Sequence, residues 1–448
     1  MFTVQEIAQA VGGRISGNGS AAVSGVSTDT RTIQRGDLYI AVKGENFDGN
    51  DFIAQAAENG AAAAISDRAE GADGFGIPII AVEDSRAAQL KLARHYRDRF
   101  SVKLCGVTGS VGKTSTKDMI YAVLSARFNT LKTEGNFNND IGLPKTLFRL
   151  DEGCGAAVIE MGMSDLGEIS ALSKSAAPDC AVITNIGYCH IENLKTRENI
   201  LKAKLEILDG ARENAPLILC GDDEYLRTVD IAGRRVIRYG FGADCEVRAE
   251  DIVHLEDGEK FTLAADGKRY SAQIPISGEH HILNALAAFC VGREFGMQAA
   301  DIIPAFMDYQ ASGMRQKTEQ RGGLTLILDC YNASPTSMKT SLSVLKSRKT
   351  GGRRIAVLGD MLELGEMSRQ LHEQLADCVC DSADACFLYG EQMAFCADKL
   401  LQRGFAVFRD TDKQRLADRL NSFAREGDVL LFKGSRGMKM EEIAEKIR

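Results

Sequence analysis

Residues 106–116, GVTGSVGKTST, constrain the fold of this chain more than any other stretch. An apolar run, LCGVTG, leads into it, and TSTKDMIYAVLSARF, apolar at helical spacing, leads out, so the segment reads as strand, glycine-rich turn and helix. Such a turn is built for phosphate. Its glycines let backbone N–H groups converge on phosphate oxygens, its lysine neutralises their charge, its hydroxyl suits magnesium, and the helix N-terminus favours anions. Gly109, Gly112, Lys113 and Thr114 supply these parts, although Val107 stands where GxxxxGK[ST] would place its first glycine. Further buried-looking strands at 156–162, 180–187 and 216–222 predict a parallel sheet covered by helices.

A chain of 448 residues exceeds one ordinary core, and roughly 150 residues per domain gives about three. At 44% hydrophobic and 26% charged, each unit has enough apolar residues for its own core. The pattern predicts an α/β protein of three domains. Residues 1–100 form a small α/β unit, with strands at 36–42, 61–66 and 77–84, a helix at 51–60, and a helix at 85–100 placed to bridge to the next unit. Residues 101–313 form the central, mostly parallel phosphate-loop sheet, extended by an antiparallel ribbon at 245–276 around Asp257-Gly258 and Asp266-Gly267. Residues 314–448 form a Rossmann-like unit with strands in LTLILDCYN, RRIAVLGDM, ACFLYG and DVLLFKG. The polar run 312–323 is the expected hinge.

The formal charge of −8 argues against a protein that tracks nucleic acid, so an anionic substrate must meet local basic groups. MFTVQEIAQAVGG reads as an amphipathic helix, and no run of about 18 apolar residues follows, so a cytoplasmic protein without membrane insertion is expected. The twelve scattered cysteines show no CxxC pair and read as buried, reduced thiols.

Magnesium at a phosphate loop takes one or two protein oxygens, and two strand-end carboxylates offer them: Glu160 and Asp329. Position alone leaves both open, while the shared unit favours Glu160. His190 follows a strand end on the side where open sheets bind ligands, and Lys204, near Glu206, reads as an ordinary exposed helix lysine. A kinase or switch-type nucleotidase is the first rival reading, but no NKxD-like guanine-reading stretch is present; a non-catalytic nucleotide-binding module is the second.

Taken in order, GVTGSVGKTST, EGNFNNDIGLP, VIEMG, TNIGYCHIE, KAKLEI and GEHHILNALAA resemble the Mur ligase family, whose enzymes build the peptide of bacterial cell-wall precursors. Four further stretches, at 27–53, 329–339, 357–368 and 429–441, are similar to the branch that joins D-alanyl-D-alanine to UDP-N-acetylmuramoyl-tripeptide; the first is shared with the diaminopimelate-adding branch, and the other three separate the two. The DYAHTP-like and DNPR-like marks of the diaminopimelate-adding branch are absent. Folylpolyglutamate synthase shares the central fold but is not expected to carry this N-terminal segment.

The resemblance implies a monomeric, ATP-dependent, amide-forming ligase that works through an acyl phosphate with two magnesium ions. It assigns the nucleotide loop to Val107, Thr108, Gly109, Ser110, Val111, Gly112, Lys113 and Thr114, and metal contacts to Thr114, Glu160 and His190, which selects Glu160 over Asp329. Asn284 matches an adenine contact, Arg315 an arginine that reaches the nucleotide from the C-terminal unit, and Asp329 a ribose-binding carboxylate. Lys204 matches a lysine that the family carbamylates, which would make it a metal contact and, with Lys113, Glu160, His190 and Arg315, part of the catalytic set. Substrate contacts fall on Ser27, Asp29 and Arg31 for the UDP-sugar, on Asn136 and Asn138, and on Lys433, Ser435 and Arg436 for nucleotide or dipeptide carboxylate. Which of His280 and His281 faces the nucleotide stays open.

Overall fold

Strand order in the central sheet places the phosphate loop where the chain reverses direction. The computed structural model describes residues 2–44, 46–68, 74–255, 257–313 and 315–448. In the nine-stranded sheet, Lys103–Thr108 is flanked by Ala156–Glu160, then Thr130–Lys132, on one side. On the other side follow Cys180–Ile183, Leu217–Cys220, Val236–Gly240 and Val247–Leu255, all pairs being parallel. The chain leaves Lys103–Thr108 toward the first side and later crosses to the second. A crevice therefore opens at the carboxyl end of this strand, where open α/β sheets hold their ligands. Ala156–Glu160 and Cys180–Ile183 are buried throughout, as expected of strands covered on both faces.

The expected ribbon extends this sheet. Gly258–Ala265 and Lys268–Ile274 pair antiparallel beyond Val247–Leu255, and Asp266 and Gly267 both take left-handed φ, 52° and 70°, the requirement of a two-residue hairpin turn.

The C-terminal six-stranded sheet runs Lys317–Arg321, Leu324–Asp329, Val429–Lys433, Arg354–Gly359, Ala385–Tyr389, Val407–Asp410, with only the first pair antiparallel. Within the expected hinge stretch 312–323, residues 317–321 form an edge strand returning through Gly322 and Gly323, both at positive φ. KTEQR lacks the apolar alternation that marks a strand, since an edge strand with little buried face is held mainly by its ladder. Met314 of that stretch lies outside the described residues.

The N-terminal unit holds a five-stranded sheet ordered Arg14–Ser16, Ile79–Ala81, Ala63–Ser66, Asp37–Ile40, Gly25–Ser27. Its first helix, Val4–Val11, is closed by a Thr3/Glu6 capping box and by Gly12 at φ 74°, and buries Val4, Ile7, Ala8 and Val11. The bridging helix is Ser85–Arg97. Its Arg97 is fully buried against the central unit, donating to the carbonyls of Ala176 (3.0 Å) and Val102 (2.9 Å) and pairing with Asp179 at 3.2 Å. Arg86 adds an ion pair to Asp140 at 2.9 Å.

All twelve cysteines are free thiols, but Cys154, Cys189, Cys378 and Cys380 are only partly buried. Among the described residues no helix is long and apolar enough to cross a membrane.

Candidate functional site

A cleft of about 530 Å³ lies between the central and C-terminal units, and most of the anticipated residues line it. From the central unit come Ser110–Thr114, Asn136, Asn138, Glu160, His190 and Asn284; from the C-terminal unit come Arg315, Asp329, Lys433, Ser435 and Arg436. Val107, Thr108, Gly109 and Lys204 do not line it. Val107 and Thr108 are buried in the strand, where the Thr108 hydroxyl donates to the Met161 carbonyl at 2.8 Å.

The loop is shaped by glycine and fastened by one asparagine. Gly109 sits at φ 148°, and a Cβ there would stand 1.9 Å from Thr184 Oγ1, so no other residue fits. Asn185 accepts the Ser110 N–H on its carbonyl (3.0 Å) and the Val111 N–H on Oδ1 (2.9 Å), and returns a bond from Nδ2 to the Val111 carbonyl (2.8 Å). Lys113 Nζ folds back to donate to the Gly109 carbonyl at 2.9 Å, and Gly112, at φ 83°, starts the helix Lys113–Ser125. The result is a fixed ring of backbone around the helix N-terminus, where anions are favoured.

The hydroxyl and carboxylate expected at a magnesium site meet directly. Thr114 Oγ1 donates to Glu160 Oε2 at 2.8 Å, while Asn138 Nδ2 donates to Oε1 at 2.8 Å. Arg315 Nη2 donates to Thr114 Oγ1 at 2.9 Å, with its guanidinium 4.3 Å from the centre of the Tyr331 ring. His190 pairs through Nδ1 with Glu363 of the C-terminal unit at 2.9 Å, which holds the Glu363 carboxyl below its usual range. Among the described residues no group of three His, Cys, Asp or Glu converges as a metal cage. A hydroxyl and a carboxylate beside a phosphate loop nevertheless fit magnesium, which is commonly held by one or two protein oxygens plus substrate phosphates and water.

Lys204 corrects its reading as an exposed helix lysine: it is only 2% exposed. Glu206, the expected neighbour, instead accepts the N–H groups of Gly167 (2.8 Å) and Ser170 (3.2 Å). Burial, reinforced by the nearby Lys113 charge, pulls Lys204 down to about 7.

At the other end a polar chain links the two units. Thr116 Oγ1 donates to Asn284 Oδ1 at 2.8 Å, Asn284 Nδ2 meets His281 Nδ1 at 3.3 Å, and Gln316 lies between His281 (3.2 Å) and His280 (3.1 Å). Burial pushes His281 down to about 4 and His280 well below its ordinary value, so both rings are neutral at pH 7. Asp329 accepts from Lys433 Nζ at 2.7 Å and Ser341 Oγ at 2.6 Å. Burial alone would raise its carboxyl, but Lys433, Ser341 and Arg315 together hold it below the usual range. Ser435 is occupied in fastening, since its hydroxyl accepts the Leu362 N–H at 2.9 Å, and Arg436 pairs with Glu441 at 2.6 Å.

Ser27, Asp29 and Arg31 stand apart from the cleft, at the end of strand Gly25–Ser27. Arg31 pairs with Asp29 at 2.7 Å and draws its carboxyl down to about 2, while Ser27 Oγ accepts the Asp29 N–H at 3.1 Å. The residue reading missed Asn185, Gln316, Tyr331 and Glu363. Asn185 and Glu363 lie inside stretches that carry the resemblance, 184–192 and 357–368, but nothing local marks them as loop fastener or His190 partner.

Three family models match the chain: the Mur ligase family, catalytic domain, over residues 22–97; the Mur ligase middle domain over 107–292; and the Mur ligase, glutamate ligase domain over 314–436. The chain is 40% identical over 451 residues to the UDP-N-acetylmuramoyl-tripeptide–D-alanyl-D-alanine ligase of Bacillus subtilis, covering 99% of this chain and 98% of that one. Among solved structures, MurF from Acinetobacter baumannii superposes with a TM-score of 0.93 at 29% identity, covering 100% and 98% of the two chains. The MurF ligase of Thermotoga maritima in complex with ADP gives 0.85 at 30% identity, covering 95% and 97%. With the same three-part order of units and a phosphate loop built from its own residues, the chain belongs to the Mur ligase family.

Proposed function

We propose that this protein uses ATP to join D-alanyl-D-alanine to UDP-N-acetylmuramoyl-tripeptide. The observation that carries the reading is one cleft in which the phosphate loop and the Thr114–Glu160 pair of the central unit face Arg315, Asp329 and Lys433 of the C-terminal unit. The Bacillus subtilis relative, alike over nearly its full length, is named for this activity, and the Thermotoga maritima relative holds ADP.

Amide formation from a carboxylate needs a better leaving group than oxide. Transfer of the γ-phosphoryl group to the tripeptide carboxylate breaks the bond from phosphorus to the β–γ bridging oxygen, releases ADP and leaves an acyl phosphate. The dipeptide amine then attacks the acyl carbon, loses a proton and expels phosphate. Phosphoryl transfer asks chiefly for positioning and charge neutralisation. Lys113 and the N–H groups at the start of Lys113–Ser125 hold the phosphates, Arg315 adds positive charge, and the same donors stabilise the tetrahedral oxyanion. Asn284 and Asp329 hold the adenine and ribose ends.

Magnesium would be held by Thr114 and Glu160, with His190 as a further contact, and supplies charge neutralisation at the phosphates. A partly neutral Lys204 amine, in the range set by its burial, attacks carbon dioxide and loses a proton to become a carbamate, converting a cation into an oxygen donor. The division of labour follows the three units. Residues 1–100 take the UDP-sugar-peptide, with Ser27, Asp29 and Arg31 among the contacts; 101–313 take ATP; 314–448 bring the dipeptide, with Lys433 and Arg436 near its carboxylate. The protein acts as a cytoplasmic monomer.

The test follows oxygen-18 from the labelled tripeptide carboxylate. Label should appear in released phosphate only when ATP, the tripeptide substrate and D-alanyl-D-alanine are all present. Label retained wholly in the peptide would sink the acyl-phosphate route.

A further inference from the structure

Segment 360–363 of the C-terminal unit is pinned residue by residue before it reaches the central unit. The Asp360 carboxylate accepts the N–H groups of Met393 (2.8 Å) and Gln392 (3.2 Å). His372 Nε2 accepts the Met361 N–H at 3.1 Å, and Ser435 Oγ accepts that of Leu362 at 2.9 Å. With three successive residues fixed, Glu363 takes a left-handed φ of 62°, and its carboxylate meets His190 Nδ1 at 2.9 Å. His190 is itself at φ 61°. Non-glycine residues avoid this backbone region, and residues held there cluster at functional sites. The Glu363 carbonyl also accepts the Glu192 N–H at 3.4 Å, so the contact continues into the backbone beside His190.

An ionised carboxylate only accepts hydrogen bonds, so in a neutral His190 ring the bonded Nδ1 carries the proton and Nε2 is bare. A ligating histidine almost always has its other nitrogen held in this way, which fixes tautomer and ring orientation. The protein already holds another ring so: His372 Nδ1 meets the Ser368 carbonyl at 2.7 Å, and its Nε2 serves as acceptor.

We propose that Glu363 is a positioning residue for His190: by accepting from Nδ1 it presents a bare Nε2 to the metal, so that metal binding in the central unit depends on a carboxylate delivered by the C-terminal unit. The proposal rests on the reading of His190 as a metal-site residue, and the experiment separates the two.

Mn²⁺ binding to the full-length protein with ADP is followed by electron paramagnetic resonance for the parent protein, H190A, E363A and E363Q, and the tautomer of His190 is read by long-range ¹⁵N NMR without metal. Loss of such an outer partner typically costs about 10–100-fold in metal affinity. E363A should fall in that range and shift the tautomer, whereas E363Q, whose amide oxygen still accepts, should stay within about threefold of the parent. If H190A weakens Mn²⁺ binding and E363A does not, the positioning role is overturned while the metal reading survives. If H190A binds Mn²⁺ as the parent does, both are overturned. Should E363A fail to fold, the parent spectrum decides alone, and a proton on Nε2 with Nδ1 bare overturns the proposal.

Discussion

Two buried lysines, Lys204 of the central unit and Lys433 of the C-terminal unit, meet opposite surroundings. Lys433 and Lys204 are both 2% exposed. Lys433 is answered at once, by the Asp329 carboxylate at 2.7 Å and the Asn332 carbonyl at 3.0 Å, and so stitches two strand ends together. Lys204 receives no hydrogen bond or ion-pair partner among the described residues, and the Lys113 charge adds to its burial, so its amine is partly neutral near pH 7. Depth of burial alone therefore does not tell what a lysine is for. The partner decides whether its amine is tied into the structure or left unpaired.

The largest effect should come from stripping the paired lysine. Asp329→Ala leaves Lys433 buried without its carboxylate partner, and urea unfolding should report a loss of about 3–5 kcal/mol, most of it recovered in the D329A/K433M double variant. Equal stability of the single and parent proteins would break the contrast. Next, Lys113→Met removes the charge at the phosphates and should lower kcat by about 10²–10³-fold, as loss of one preorganised transition-state donor does, with the fold intact by circular dichroism.

Lys204→Met sharpens the other side. The folded protein holds Lys204 at about 7 against its ordinary 10.5, so between those values the unfolded chain carries the extra proton and stability rises with pH. The substitution removes that slope: thermal melts should show K204M more stable than the parent below pH 7, with the gain fading toward pH 10.5. Under labelled bicarbonate the parent should show a carbamate resonance in ¹³C NMR, and the same variant should lack it. The smallest effect is expected at the exposed Arg31–Asp29 pair, where Arg31→Ala should leave the unfolding midpoint unchanged and raise KM for the UDP-sugar-peptide alone.

Sequence pattern carried the fold far, because strands buried on both faces and amphipathic helices are local patterns of residue type. The strand, glycine loop and helix around Lys113 were legible for that reason, and so were the ribbon and its Asp266-Gly267 turn. Strand Lys317–Arg321 was not, since an edge strand with little buried face advertises no core. Neither were the contacts that finish the site: Asn185 fastens Val111 from 74 residues away, and Arg315 reaches Thr114 from 201.

By itself, then, the sequence determined that phosphate is bound, where the loop lies and which carboxylates are candidates, because each of these depends on neighbours along the chain. Only the tertiary structure decided that Glu160 is the carboxylate bonded to the loop hydroxyl, that Lys204 is buried with no hydrogen-bond or ion-pair partner among the described residues, and that Glu363 holds His190. Solvation and partnership belong to whatever side chains the fold brings together, and a helix such as Arg197–Leu205 carries no record of what will cover it.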